Sequence, residues 1–353
     1  MELAGNSASY HGEDCRALAH FKPGRAVVFA GLMAAVCLFC GPAGANDSTA
    51  SLDAGGLRLT YTPDIVVEFE DLYLSRAQVR VVYRFHNTSP RDISTLVAFP
   101  LPVIEIGEGG NYALSGSDPI NVMDFQVAVD GRQVEPSVEI KATRFGIDVT
   151  AVLKRYGIPL TMLSGGADVL NRKLNDLPTE AKSELTRYGV IDWDSIVGAD
   201  NVRSANTHWD THITFYWFQT FPAGRTIEVT HVYRPVPRQF FFSDDDLISA
   251  EKQKAYCLDP AFARSARARI QQSQQKVLAG YELKYVLTTS GNWMGPIRKF
   301  RLTVEKATPD ALVSLCAPTI KRASATTFML SQDNFSPTED LKVLFVEPLA
   351  TGN

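Results

Sequence analysis

The feature that most constrains this chain is a two-residue alternation of apolar and polar side chains. Val79, Val81, Tyr83 and Phe85 alternate with polar residues. Successive side chains of a β-strand point to opposite faces, so this period predicts a half-buried strand. A turn-prone segment, 87–92, separates it from a second apolar run that Pro100 ends. The pattern therefore predicts neighbouring antiparallel strands.

The same alternation recurs along most of the chain. Asp130-Gly131 joins two further strands and is a strong signal for a two-residue hairpin turn. Aromatic and β-branched residues fill Ile213–Phe221 and Thr226–Tyr233, which are separated by Pro222-Ala223-Gly224. More strands are expected after Gly280 and up to Val346. We predict a mostly β fold, an antiparallel sandwich-like architecture with Greek-key connections.

Helical spacing interrupts the strands in two places. After Gly146, Asp148 can cap a helix that ends at Gly157, and Pro178-Thr179 opens another short helix. Asp259 followed by Pro260 begins a later helix, in which apolar residues are spaced to cover the sheet. The sequence therefore predicts a helical insertion at 146–206 and one flanking helix.

The N-terminus resembles a secretory signal peptide. Basic residues precede an apolar run, Ala26–Cys40, which is followed by Ala43-Gly44-Ala45. The run is shorter than the ~20 residues that span a membrane, so cleavage after Ala45 is favoured over an anchor. We therefore predict a signal peptide at 1–45, an N-terminal β region at 46–145 and a C-terminal β region at 207–353. Residues 46–353 would form one unit in the periplasm, without a membrane span.

Charge and cysteine content limit what the exported chain can do. The net charge is −4, and no basic stripe is visible, which argues against nucleic acid as a partner. Removal of the leader leaves only Cys257 and Cys316. An even pair in an oxidising compartment is most simply a disulfide, and two free thiols are the alternative.

The segment His208-Trp209-Asp210-Thr211-His212 is the best metal candidate, with His231 as a possible third imidazole ligand. On a helix His208 and His212 would lie about 6 Å apart along the axis, but on a strand about 13 Å apart. Because a strong strand pattern follows at once, extended structure is favoured. We expect ordinary polar residues at a strand entrance, and we assign no metal or cofactor.

Other chemical signatures are weak, so no catalytic residue is assigned. The sequence has no G-x-S-x-G elbow, and Gly165-Gly166 is not followed by the Lys-Ser/Thr of a phosphate loop. Asp244-Asp245-Asp246 does not have the spacing of a calcium loop, so a solvated turn is favoured. The aromatics of 215–221 could form a sugar platform, but core packing is the commoner use of such residues.

Several blocks of sequence resemble a bacterial family, domain of unknown function 4424. They occur in one order along nearly the whole mature chain: Glu70–Ser75 leading into VRVVYRFHNTS, Leu96–Pro102, Phe215-Tyr216-Trp217, His231–Pro235, Tyr256-Cys257, Asn292–Ile297 and Leu315-Cys316. The segment Arg234–Pro237 departs from the family pattern, which affects only the expected loop shape. The resemblance implies an exported envelope protein and provides no reaction, cofactor or partner.

Three functions remain open from the sequence. The first, which we favour, is a non-enzymatic periplasmic protein that binds an envelope protein or a surface polymer, or has a structural role. The alternative is a periplasmic hydrolase or metalloenzyme, which would require His208, Asp210, His212 and His231 to meet in one cleft. The third is a small-ligand carrier with an apolar pocket between its sheets.

Overall fold

The structure is a computed structural model that describes residues 47–53, 56–106, 111–112, 121–161, 166–197 and 203–349. The predicted signal peptide and its cleavage site at Ala45 lie outside these residues. Within them 49% of the residues lie in strands and 19% in helices, which confirms the predicted mostly β, sandwich-like fold.

Two large sheets enclose the main hydrophobic core. The seven-stranded sheet pairs its strands in the order β11 (Ile147–Asp148), β10 (Ser137–Arg144), β14 (Trp209–Phe221), β5 (Ile93–Pro100), β1 (Ser48–Asp53) and β2 (Gly56–Thr60), and β6 (Ile104–Ile106) also pairs with β14. The eight-stranded sheet has the order β20 (Lys321–Arg322), β21 (Thr327–Phe335), β18 (Ile297–Glu305), β3 (Ile65–Ser75), β4 (Val79–Asn87), β15 (Thr226–Tyr233), β8 (Gln126–Val129) and β9 (Arg132–Val134).

Two smaller sheets complete the described strands. The five-stranded sheet has the order β19 (Leu312–Leu315), β22 (Leu341–Glu347), β17 (Leu278–Tyr285), β16 (Arg238–Phe242) and β7 (Asn111–Tyr112), and the two-stranded sheet consists of β12 (Ile191–Val197) and β13 (Arg203–Thr207). The helices are α1 (Thr150–Arg155), α2 (Gly166–Asn175), α3 (Thr179–Arg187), α4 (Asp244–Ile248), α5 (Ala250–Tyr256) and α6 (Pro260–Gln272), with a 3₁₀ turn at Thr288–Asn292. Within the described ranges no helix is both long and apolar enough to cross a bilayer.

Strands that are distant in sequence share sheets. Antiparallel pairing dominates, but β3 runs parallel to β18, with Leu72 opposite Leu302. In the other sheet, β14 pairs with β5 over eight residues, from Thr214–Phe221 to Ile93–Pro100. The N-terminal and C-terminal β regions are therefore interleaved within the same two sheets.

The region predicted as a helical insertion contains α1, α2 and α3, and it also contains the hairpin of β12 and β13. Asp148 is not the N-cap of α1, which is Val149; its carboxylate accepts the N–H of Thr150 instead. In the flanking helix, Asp259 caps α6 by accepting the N–H of Phe262, as its sequence position predicts.

A second apolar cluster lies between α6 and the five-stranded sheet. Phe262, Ala266 and Ile270 on α6 pack with Leu344 and Val346 on β22. The neighbouring β22 residues Val343 and Phe345 belong to the main core, so this sheet is buried on both faces. A disulfide joins Cys257, the residue after α5, to Cys316, the residue after β19. It therefore fixes the helical layer to the edge of that sheet.

Candidate functional site

The structure spreads the histidine-rich segment along an extended strand. β14 begins at Trp209, and alternation places Asp210 and His212 on its outward face while Trp209 points into the core. In an extended chain His208 and His212 are about 13 Å apart. His208 Nε2 lies 2.9 Å from a carboxylate oxygen of Asp192, and His212 Nε2 shares a 2.9 Å hydrogen bond with the Thr143 hydroxyl. Each imidazole is therefore held by a different neighbour.

His231 lies in the core, on the inward face of β15. Its ring packs against aromatic side chains, the nearest being Phe99, with ring centroids 4.6 Å apart. Burial lowers the pKa of His231 to about 3, so the imidazole is neutral. The structure does not bring it to the outward-facing His208 and His212. Across the described residues, no group of three or more His, Cys, Asp or Glu side chains has a metal-binding arrangement.

His231 instead belongs to a buried polar cluster that the sequence analysis did not identify. We use "buried acid cluster" for Asp47, Glu70 and His231, each of which has 0% exposure. His231 Nε2 lies 3.6 Å from Asp47 Oδ1. Burial, and then the charge of Glu70, raise the pKa of Asp47 well above its usual range. This direction and the depressed pKa of His231 agree, because both favour neutral groups in a dry core.

Two buried tyrosines lie within electrostatic range of the buried acid cluster, and one of them belongs to the five-stranded sheet. The Tyr83 hydroxyl of β4 and the Tyr285 hydroxyl of β17 share a 2.9 Å hydrogen bond. Burial raises the pKa of both phenols, and the charge of Glu70 raises them further. These hydroxyls therefore remain protonated, and the cluster lies in the sealed interior, away from solvent-borne substrates.

The 3₁₀ turn holds the start of β1 inside the core. Trp293 is 2% exposed, and its indole N–H donates to the Asp47 carbonyl oxygen over 2.6 Å. The Asn292 side-chain amide donates to the Ser48 hydroxyl over 2.8 Å. The chain is therefore anchored in the interior from Asp47 onward.

The turn between β10 and β11 is exposed to solvent, unlike the buried acid cluster. Arg144 pairs with Ile147, so Phe145-Gly146 is a two-residue turn, and both residues have positive φ, 51° and 76°. Phe145 is 80% exposed and Ile147 66% exposed. The Arg144 guanidinium lies 3.9 Å from the centroid of the Phe145 ring. We call Arg144–Ile147 the Phe145 turn.

The other sequence-predicted features have structural positions of their own. Asp244, Asp245 and Asp246 form the first turn of α4, where Ser243 and Asp246 make a capping box. Of the aromatic run on β14, Phe215, Trp217 and Phe221 are buried while Phe218 is 81% exposed. A cavity of about 900 Å³ lies beside α6, where Arg269, Gln272 and Asp310 are among its lining residues.

The sequence matches one family over most of its length. The model of the family described as "Domain of unknown function (DUF4424)" covers residues 45–344. No curated protein matches the sequence. Among solved structures, a candidate nutrient-binding protein from Legionella pneumophila subsp. pneumophila str. Philadelphia 1 is similar, with 16% identity and a TM-score of 0.42; the match covers 86% of this chain and 70% of that protein. On the family match, this chain belongs to the DUF4424 family.

Proposed function

We propose that this protein is exported to the periplasm with cleavage after Ala45, and that it binds another envelope protein there in a non-enzymatic role. The observation that carries the binding role is the Phe145 turn, which exposes a large aromatic ring in a conformation that disfavours it. The matched family is one of unknown function, so it assigns neither a reaction nor a partner.

The backbone at Phe145 is unfavourable for its side chain. Two-residue hairpin turns with positive φ at both positions prefer Asn, Asp or Gly first and Gly second. A bulky residue with positive φ is an outlier, and such strain costs on the order of 1–3 kcal/mol. Another turn of the chain has the same backbone conformation with preferred residues: Asp130 and Gly131 have φ values of 47° and 77°. Phe145 therefore costs folding stability, which is consistent with selection for binding.

The composition of the Phe145 turn fits a protein-binding hot spot. Aromatic residues and arginine dominate the residues that contribute most to interfaces, and they are usually surrounded by a polar rim. Here Arg144 stacks on the exposed ring. A hydrogen bond from His208 is the main cause of the lowered pKa of Asp192, and the charge of Arg144 also lowers that pKa. Arg144 therefore lies within electrostatic range of the His208–Asp192 pair.

Replacing Phe145 with asparagine tests this role. Asparagine tolerates positive φ, so we expect unfolding stability to stay equal or to rise by up to about 1 kcal/mol, while partner binding falls at least about tenfold. The experiment introduces a photo-crosslinking phenylalanine analogue at position 145 in the producing bacterium, and mass spectrometry identifies the adducts.

The matched control carries the same analogue at Phe241, which is 69% exposed on β16. We expect a protein adduct that forms only from position 145 and that an excess of wild-type protein suppresses more strongly than an excess of the Phe145→Asn protein. Equal adducts from both positions, or equal suppression by both competitors, would contradict the proposed binding surface.

A further inference from the structure

A groove of about 590 Å³ lies at α3 and β12, within the region predicted as a helical insertion. Its volume falls in the ~300–1,000 Å³ range of small-molecule sites. Side chains from both elements line it, and they are polar apart from one aromatic ring. The described lining includes Thr179, Lys182, Ser183, Thr186, Arg187 and Trp193.

The α3 side of the groove combines hydroxyl groups with positive charge. Helical periodicity places the hydroxyls of Thr179, Ser183 and Thr186 on one face of α3. Lys182 lies on one side of these hydroxyls and Arg187 on the other, and the two cations are separated by a rise of about 7.5 Å along the axis. Among the described residues that line the groove, none is acidic. This side therefore favours a ligand with negative charge and several hydroxyl groups.

Trp193 provides the groove with an aromatic surface. Its ring is half-buried and packs against the main core, which holds it in place. The Lys182 ammonium lies 5.5 Å from the centroid of the Trp193 ring and donates to the Asn175 carbonyl oxygen over 2.6 Å. Asp192, the preceding residue of β12, points to the opposite face of the strand, where His208 binds its carboxylate. The groove thus combines an aromatic face with a fixed cation.

We propose that this groove binds a saccharide that carries carboxylate groups, such as a uronic acid. The apolar C–H face of a sugar ring complements the face of an indole ring. Sugar hydroxyls both donate and accept hydrogen bonds, as do serine and threonine hydroxyls, whereas the oxygens of a phosphate group mainly accept. The planar guanidinium of Arg187 matches a carboxylate, and Lys182 adds a second positive charge. The inference depends neither on the proposed export nor on the Phe145 turn.

The fluorescence of Trp193 provides the test. The other three tryptophans are at most 4% exposed, so acrylamide should quench Trp193 in preference to them. The probe is the disaccharide of β-linked glucuronic acid. Its neutral counterpart is cellobiose, which has hydroxymethyl groups in place of the carboxylates. With the full protein purified from its own cells, we expect the acidic disaccharide to protect Trp193 from quenching and to bind at least about tenfold more tightly than cellobiose.

Substitutions separate the charge from the aromatic surface. Arg187→Gln should weaken binding of the acidic disaccharide about fivefold and leave cellobiose binding unchanged, because only the carboxylates use that charge. Arg172→Gln is the matched control: Arg172 is exposed on α2 and does not line the groove, so neither sugar should be affected. In NMR titrations, Trp193→Phe should stay within about threefold of the wild-type affinity, whereas Trp193→Ala should lose about tenfold.

Three results would overturn the inference: equal binding of the two disaccharides, equal effects of Arg187→Gln and Arg172→Gln, or no protection of Trp193 by the acidic sugar. Stronger protection by adenosine monophosphate than by the acidic disaccharide would also overturn it, since the groove would then belong to a phosphate ligand. Arg187 is exposed, so its replacement keeps the test decisive even if Trp193→Ala fails to fold.

Discussion

Replacing Trp293 with alanine is expected to lower the free energy of unfolding by about 3–5 kcal/mol, because the change removes one of the largest fully buried side chains. The Trp293 ring packs against Phe85 and Phe221, with ring centroids 4.7 Å and 6.0 Å apart, so it contacts both large sheets. Its indole N–H also holds the Asp47 carbonyl. Urea unfolding, followed by far-UV circular dichroism, measures the loss.

Trp293→Phe separates packing from the hydrogen bond. Phenylalanine keeps an aromatic ring in the core but cannot donate to Asp47, so a smaller loss of about 1–3 kcal/mol is expected. In native-state hydrogen exchange, this variant should lose protection first in β1, the strand whose start Trp293 anchors. A loss below about 1 kcal/mol for Trp293→Ala would contradict the view that this contact holds the N-terminal strand in place.

The second large effect is a loss of stability in acid that depends on His231. Burial lowers the pKa of His231 from 6.5 to about 3 in the folded state. Between these values the unfolded chain binds a proton that the folded chain excludes, so this contribution to stability is lost as the pH falls below about 6.5. The slope is about 1.4 kcal/mol per pH unit, which amounts to about 3 kcal/mol by pH 4.

His231→Gln is the comparison, because glutamine is polar but does not titrate in this range. Asp47 contributes with the opposite sign, since its raised pKa stabilises the folded state as the pH falls, and it is present in both proteins. We therefore expect the wild-type protein to lose stability more steeply than the variant between pH 6.5 and 4. NMR should show that His231 in the folded wild-type protein does not titrate above pH 5. Parallel stability curves, or a titration near pH 6.5, would contradict the buried neutral imidazole.

Local patterns predicted the strands well because burial on one face imposes alternation. The strand around Val79–Phe85 is β4, and Asp130-Gly131 is the β8–β9 turn. Pairing between distant strands left no such signal: the parallel partner of β3 lies about 230 residues away in β18, so one sequence alone cannot provide the register. The β12–β13 hairpin was missed because it follows directly after helical spacing.

The buried acid cluster and the Phe145 turn were not predicted for a different reason. Each places a residue type in an environment where that type is uncommon. Acidic residues are normally solvent-exposed, so Asp47 and Glu70 gave no expectation of burial. The available signal was the position along the strand: Glu70 lies on the same face of its strand as Leu72 and Leu74, and His231 lies on the same face as Val229 and Tyr233. At Phe145-Gly146 the turn chemistry is wrong for the conformation, so sequence rules indicated no hairpin there.

The measurement that tests the central claim most directly is the intact mass of the protein purified from its own cells, together with alkylation of its thiols without reductant. We expect a chain that begins at Asn46, is two hydrogens lighter than the reduced form, and has neither Cys257 nor Cys316 modified. A native chain that retains the leader, or one in which both sulfurs react, would contradict it.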